Sequence, residues 1–170
     1  MDRLILLLAR GGGLGLAPKA PGTVGTLGGF PLTALLLVPE NFWIYLAGCA
    51  VLVPLSAWVC GEAERILDRE DPGEVVLDEI IAVPMCFLGV FAVMTFQGEG
   101  MPTVQGVLAR QWTWAWALAG FALFRLFDIW KPGPIDRAQL LHKGWGVTMD
   151  DVLAGLLTGA ILGGVYFGLQ

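Results

Sequence analysis

The sequence predicts an all-α fold: an integral membrane bundle of about five apolar helices, forming one domain over residues 1–170, with the N-terminus cytoplasmic. Three observations predict it. The 170 residues are 56% hydrophobic and only 15% charged, with a mean hydropathy of +0.70, too little polar surface for a water-soluble domain of this length. The apolar residues gather into five runs separated by short polar connections. The lysines and arginines fall on alternate connections, the pattern that orients a multi-pass protein.

The runs are 23–38, 42–60, 80–96, 111–124 and 152–169. A spanning helix needs ~20 apolar residues, with a range near 17–25. The second, third and fifth runs reach that range. The first and fourth are short, and serve either as thin spans or as helices packed inside the bundle. "PEN" at 39–41 is a tight turn that makes the first two runs a helical hairpin. If all five cross with the N-terminus inside, the cytoplasmic stretches carry nine cations (Arg3, Arg10, Lys19, Arg65, Arg69, Arg125, Lys131, Arg137 and Lys143) and the outer stretches only Arg110. Trp112, Trp114 and Trp116 then form an interfacial aromatic belt at the outer end of the fourth run.

Several alternatives are weakened by composition. Cys49, Cys60 and Cys86 lie in apolar runs without CxxC spacing, which argues for small buried hydrophobes over a disulfide framework or zinc site. A single histidine, His142, cannot build a histidine metal cage. The opening "LILLLA" is too short for a signal-peptide core and lacks a cleavage pattern, so the N-terminus is expected to be retained. The formal charge is −5, and no nucleic-acid partner is expected.

The predicted topology puts three unusual stretches on one side of the membrane: "GGGLGLAPKAPGTVGT" at 11–26, "DPGEVVLDE" at 71–79, and "FRLFDIWKPGPIDR" at 124–137 with its continuation "GVTMDD" at 146–151. Asp78 and Glu79 stand where the third run begins, Asp150 and Asp151 where the fifth does. Helix capping explains one carboxylate per helix, but adjacent pairs on two helices less well. Ionisable residues at a membrane border usually face the bundle interior or water. Asp128 stands at a helix C-terminus, where the dipole disfavours an anion, three residues after Arg125 and three before Lys131. The plain reading is an ion pair with Arg125. The functional one is a carboxylate for a metal, with Arg125 and Lys131 for a phosphate.

Carboxylates are hard oxygen ligands suited to Mg²⁺. Glu79, Asp128, Asp150 and Asp151 are the candidate metal ligands. With Asp78 they exceed what one ion needs, which fits two ions or one ion plus a general base. "APKAPGTVGT" supplies Lys19, Gly22, Thr23 and Thr26 at a helix N-terminus, where free N–H groups and hydroxyls favour an anion, although Pro-Gly-Thr is also an ordinary turn. Phosphate donors and metal carboxylates at a membrane boundary suggest a site for a phosphorylated lipid head group. The small-residue spacing of Gly155, Gly159, Gly163 and Gly164 serves either packing within the chain or a homo-oligomer.

These stretches, in this order and spacing, resemble the bacterial phosphatidylglycerophosphatase A family over nearly the whole chain. The resemblance implies a Mg²⁺-dependent, multi-pass phosphatase of the inner membrane, acting on its cytoplasmic side. It would convert phosphatidylglycerophosphate to phosphatidylglycerol and phosphate. It marks Thr23, Asp78, Glu79, Arg125, Asp128, Lys131, Asp150 and Asp151, and leaves individual roles open. Asp128, Asp78, Arg125 and Lys131 are the catalytic candidates. Lys19, Gly22, Thr23 and Thr26, with Arg125 and Lys131, are the substrate-binding ones. Asp78 is either the base or a supporting partner, and the nucleophile is either water or Asp128.

Other phosphatase chemistries lack their residues. Arg65 follows Cys60 one position short of a cysteine-phosphatase loop, a histidine mechanism needs a second histidine, and no DxDx[TV] motif occurs. The rival readings are the same chemistry on another lipid phosphate such as phosphatidic acid, and a small transporter or accessory subunit whose charges line a vestibule.

Overall fold

The computed structural model describes residues 1–109 and 111–170, with the backbone alone at 111 and 112. Every element among the described residues is helical. α1 (Asp2–Ala9) is followed by a 3-10 turn (Gly11–Leu16), α2 (Pro21–Leu37) and α3 (Phe42–Leu67). Then come α4 (Leu77–Met85), α5 (Leu88–Phe96), α6 (Val104–Ala109), α7 (Gln111–Trp130), α8 (Pro134–Ala138) and α9 (Gly144–Gly168).

All five apolar runs are helices, three of them long and apolar enough to cross a membrane: α3, α4 with α5, and α9. α2 is a shorter apolar helix. α3 is 26 residues long, about 39 Å at ~1.5 Å per residue, so it overshoots a ~30 Å hydrocarbon layer. The overshoot is its charged last two turns. Its start is fixed by Asn41, whose side chain accepts from the backbone N–H groups of Trp43 and Ile44.

The third run breaks between Met85 and Leu88. Pro84 has no N–H to donate, and the following N–H groups turn back three residues, Cys86 to Val83 and Phe87 to Pro84. The Pro84 carbonyl also accepts the buried Tyr45 hydroxyl at 2.7 Å, which pins the break to α3.

α9 is the hub, packed on α3, α4, α5, α7 and α8. A Cβ on Gly155 would lie 2.7 Å from the Ala82 carbonyl, one on Gly159 2.5 Å from that of Met85, and one on Gly163 2.7 Å from Gly89. Gly164 faces open space. Three of the four glycines therefore serve packing within the chain, where backbones approach too closely for any side chain.

The N-terminal element was not foreseen. Ile5 and Ala9 of α1 pack on Val59, Cys60 and Ala63 of α3 and on Val75. Arg10 Nη2 holds Glu74 Oε1 at 2.5 Å, and the Val76 N–H donates to the Ala9 carbonyl. The glycine-rich stretch is thereby latched to the α3–α4 connection. Cys49, Cys60 and Cys86 are buried and free, as the composition suggested. Of the expected aromatic belt, Trp114 is exposed, but Trp116 turns inward onto Tyr166 with ring centroids 5.8 Å apart. Arg110 and the Trp112 side chain lie outside the described residues.

Two predictions follow from this packing. Gly159→Leu should destabilise the protein by about 1–3 kcal/mol through overpacking, with Gly164→Leu near neutral, as read from thermal unfolding in detergent. The second concerns acid. The hydrogen bond from Arg10, with the charges of Arg10 and Arg69, holds the Glu74 carboxyl below the usual 4.5. A lowered folded-state value means that the latch is fully present above the usual value and is lost only as pH falls through the lowered one. Amide exchange in residues 11–16, corrected for intrinsic rates, should therefore rise only in strong acid. Glu74→Gln should remove that pH dependence.

Candidate active site

The first turns of α2, α4 and α9 and the last turns of α3 and α7 lie at one end of the bundle. Asp78 and Glu79 open α4, Asp150 and Asp151 sit in the second turn of α9, and Arg125 and Asp128 close α7. Residues up to 73 positions apart in sequence thus meet in one layer.

Arg125 ties that layer together. Its Nη1 lies 2.9 Å from Glu79 Oε1 and 2.7 Å from Asp128 Oδ2. The intrahelical pair with Asp128 is therefore real, and the same guanidinium crosses to α4. α7 stops at Trp130, so Lys131 is not on the helix face with Arg125 and Asp128. It takes a left-handed φ of 47°, and its ammonium reaches Asp150 Oδ2 on α9 at 2.6 Å. Burial pulls the Lys131 pKa down, but its hydrogen bond to Asp150 and the charges of Asp150, Asp128 and Asp151 outweigh that and raise it. Lys131 is a firm cation at any physiological pH.

Asp78 and Asp151 are the most enclosed members, 5% and 3% exposed. Asp78 Oδ1 accepts the Glu79 N–H, and Asp150 Oδ1 accepts that of Asp151, so the first carboxylate of each pair braces its own helix. Glu79 Oε2 is buried and has no hydrogen-bond partner.

The α2 N-terminus closes the remaining side. A Cβ on Gly25 would sit 2.8 Å from Glu79 Oε2, and one on Gly22 would overlap Glu79 Oε1. Only glycine lets this helix end approach the carboxylate. The partly buried Thr23 lies between them on the first turn. Thr26 is fully buried and its hydroxyl donates to the Gly22 carbonyl at 2.9 Å, so that donor is already engaged. Lys19 is exposed in the preceding loop and makes no ion pair or hydrogen bond among the described residues. Beside Asp150, a polar cavity of about 870 Å³ opens between α3 and the α8–α9 connection, with His142, Lys143 and Arg65 on its wall.

The donor set suits Mg²⁺: it is all carboxylate oxygen, and Glu79 Oε2 is a buried acceptor with nothing to accept. Among the described residues, no three carboxylate, histidine or cysteine side chains form a ready-made cage. Arg125 and Lys131 occupy carboxylate oxygens that such an ion would use.

A family model described as Phosphatidylglycerophosphatase A matches residues 7–166. The chain belongs to the phosphatidylglycerophosphatase A family. The match takes in every element of the charged layer. A Haemophilus influenzae protein named Phosphatidylglycerophosphatase A is 38% identical over 153 residues, covering 89% of this chain and 82% of the relative. An Escherichia coli protein of the same name is 32% identical over 160 residues, 92% and 80% of the two chains. A Bacteroides thetaiotaomicron protein named "Putative phosphatidylinositol-3-phosphatase" is 34% identical over 157 residues, 90% and 87%. No solved structure matches the chain.

The residues that sequence reasoning missed are Arg10 and Glu74, 64 positions apart. Both lie in or beside stretches singled out as unusual, but nothing local in either one announces the pairing.

In this family member Arg125 stands between two carboxylates at a low-dielectric boundary. Arg125→Met should destabilise the fold by roughly 3–5 kcal/mol, because it strands both Glu79 and Asp128. Adding Glu79→Gln should recover part of the loss. A double-mutant cycle of thermal unfolding in detergent measures the coupling.

Proposed function

We propose that this chain hydrolyses phosphatidylglycerophosphate to phosphatidylglycerol and inorganic phosphate, with Mg²⁺ as cofactor, at the cytoplasmic face of the bacterial inner membrane. The observation that carries the reading is the convergence of Arg125, Lys131 and five carboxylates at the end of a membrane-length bundle, in a chain of this family. Charges gathered at one end, rather than along the bundle, favour surface chemistry over a transport path.

In this reading Arg125 and Lys131 turn from their carboxylates to the phosphoryl oxygens, and the free N–H groups of the α2 N-terminus add neutral donors. Glu79, Asp128, Asp150 and Asp151 would hold Mg²⁺, which would neutralise phosphoryl charge and lower the pKa of water when bound. The oxygen–phosphorus bond formed by the nucleophile replaces the bond to the glycerol oxygen, and that oxygen leaves with a proton as the alcohol of phosphatidylglycerol. Asp78, enclosed and bonded to the Glu79 N–H, suits the supporting role better than that of a base exposed to water. The acyl chains remain in the bilayer, so the site need reach only the head-group level.

A second reading, another phosphorylated lipid as substrate, is favoured by the Bacteroides relative, whose name specifies a phosphoinositide. Phosphate release by purified protein in detergent, from phosphatidylglycerophosphate, phosphatidic acid and phosphatidylinositol 3-phosphate, with Mg²⁺ or EDTA, separates these. The expected result is Mg²⁺-dependent release fastest from the first lipid. Release from none of them by folded protein would turn the assignment toward a transporter or accessory subunit. Asp128→Asn should lower turnover by at least about a hundredfold while membrane insertion stays intact. Mg²⁺ should raise the thermal midpoint of the wild type, but not of Asp150→Asn with Asp151→Asn.

A further inference from the structure

A second cavity, of about 790 Å³, lies toward the opposite end of the bundle and plays no part in the chemistry above. It falls within the ~300–1,000 Å³ of small-molecule sites. Its walls are α2 at Phe30 and Ala34, Phe87 just before α5, Phe91 within it, and α7 at Ala117, with Met101 of the α5–α6 connection as a cap. Among the described residues that line it, Glu99 alone is charged, and it accepts from the Tyr166 hydroxyl at 2.8 Å.

Of these helices α2 and α7 also build the charged layer, and α5 follows α4, which carries Glu79, across the break after Pro84. On α2, Thr23, Thr26, Phe30, Ala34 and Leu37 recur at three- and four-residue steps, so one stripe runs from the phosphate end to the cavity. On α7 the stripe is Arg125, Phe121 and Ala117, and on α4–α5 it is Glu79, Val83, Phe87 and Phe91. α2 and α7 meet only sparingly, which marks a seam between them, and α4 contacts both helices. Pro31, Leu35 and Leu118 on its rims are exposed, so the seam faces lipid. From Arg125 to Ala117 along α7 is about 12 Å at ~1.5 Å per residue. One leaflet of hydrocarbon is roughly 15 Å deep, half of a ~30 Å core.

We infer that the cavity receives the distal end of one acyl chain of the lipid whose phosphate sits at Arg125 and Lys131, with the α2–α7 seam as the path between them. This rests on the proposed lipid-phosphatase reading and adds a chain-length requirement to it. An anionic lipid of the opposite leaflet is a poorer occupant, because the far rim offers the Glu99 carboxylate and, among the described lining residues, no cation.

The test fills the cavity without touching the charged layer. Ala117→Trp and Ala34→Phe are assayed on palmitoyl and hexanoyl forms of phosphatidylglycerophosphate. Each variant should lose about tenfold or more in kcat/KM on the palmitoyl lipid, the worth of about two buried methylenes, and keep wild-type kinetics on the hexanoyl one. The hexanoyl rate also reports folding. Equal effects on both lipids, or none on either, overturn the inference. Photolabelling reads occupancy without turnover. A palmitoyl lipid phosphate with a diazirine at the chain end should label Phe91, Met94 or Met101, and excess hexanoyl phosphatidylglycerophosphate should compete the label away. Label that this competitor leaves unchanged means bulk or opposite-leaflet lipid, and a cavity closed to label by a second copy of the chain means a dimer interface. Either result overturns the inference. If wild type cleaves neither lipid, the enzymatic reading fails, and the labelling still decides the cavity.

Discussion

The arrangement turns on one guanidinium. Arg125 lies 2.9 Å from Glu79 and 2.7 Å from Asp128, and with Lys131 it supplies the cationic charge within a layer of five carboxylates. Carboxylates cannot be withdrawn from water near a bilayer unless something compensates them. Two cations against five carboxylates leave a formal surplus of three negative charges. Backbone N–H groups soften the surplus at Asp78 and Asp150, and the open end of α2 does so at Glu79. On the proposed reading a divalent ion would meet the remainder.

Holding that layer requires helices closer together than ordinary side chains allow. Lipid tails are as apolar as leucine, so hydrophobicity does little to drive helix against helix in a membrane. Close backbone contact does the work instead. Gly155, Gly159 and Gly163 let α9 lie on the carbonyls of α4 and the backbone of α5, and Gly61 meets Gly144 where α9 starts. Gly22 and Gly25 do the same where α2 approaches Glu79. The break after Pro84, held by Tyr45, separates a polar α4 start from an apolar α5, so one apolar run serves both the charged layer and the hydrophobic interior.

Much of this was legible in the sequence, because the signals are local. Apolar runs marked α2, α3, α4 with α5, α7 and α9, the "PEN" turn marked the junction of α2 and α3, and acidic pairs at two run beginnings marked the layer. The parts that were not legible depend on three dimensions. The apolar run of α3 stops at 60 because hydropathy falls where a helix leaves lipid, although the hydrogen bonding of that helix continues to Leu67. Lys131 would share the face of Arg125 only if α7 continued to it, but the helix stops at Trp130 and the lysine reaches Asp150 instead. The partner of Arg125 across 46 positions and that of Arg10 across 64 have no local signature at all. Among the described residues three helices are long and apolar enough to cross a membrane; α2 is shorter, and α7 carries Arg125 and Asp128 in its last turns.

The ion pairs also constrain how a phosphate and a metal would share the layer. Arg125 commits only Nη1 and Lys131 a single ammonium contact to these pairs, so a phosphate competes with the carboxylates for the charge of the two cations rather than for their last donors. If phosphate draws these cations away, Glu79, Asp128 and Asp150 lose their partners at once. If a metal takes those carboxylates first, the cations are freed for phosphate. On the proposed reading each ligand therefore removes the obstacle to the other, and the two should bind with positive coupling. A resting state with Glu79, Asp128 and Asp150 paired internally, opening only when both arrive, would also keep those three carboxylates from facing the lipid without a cation.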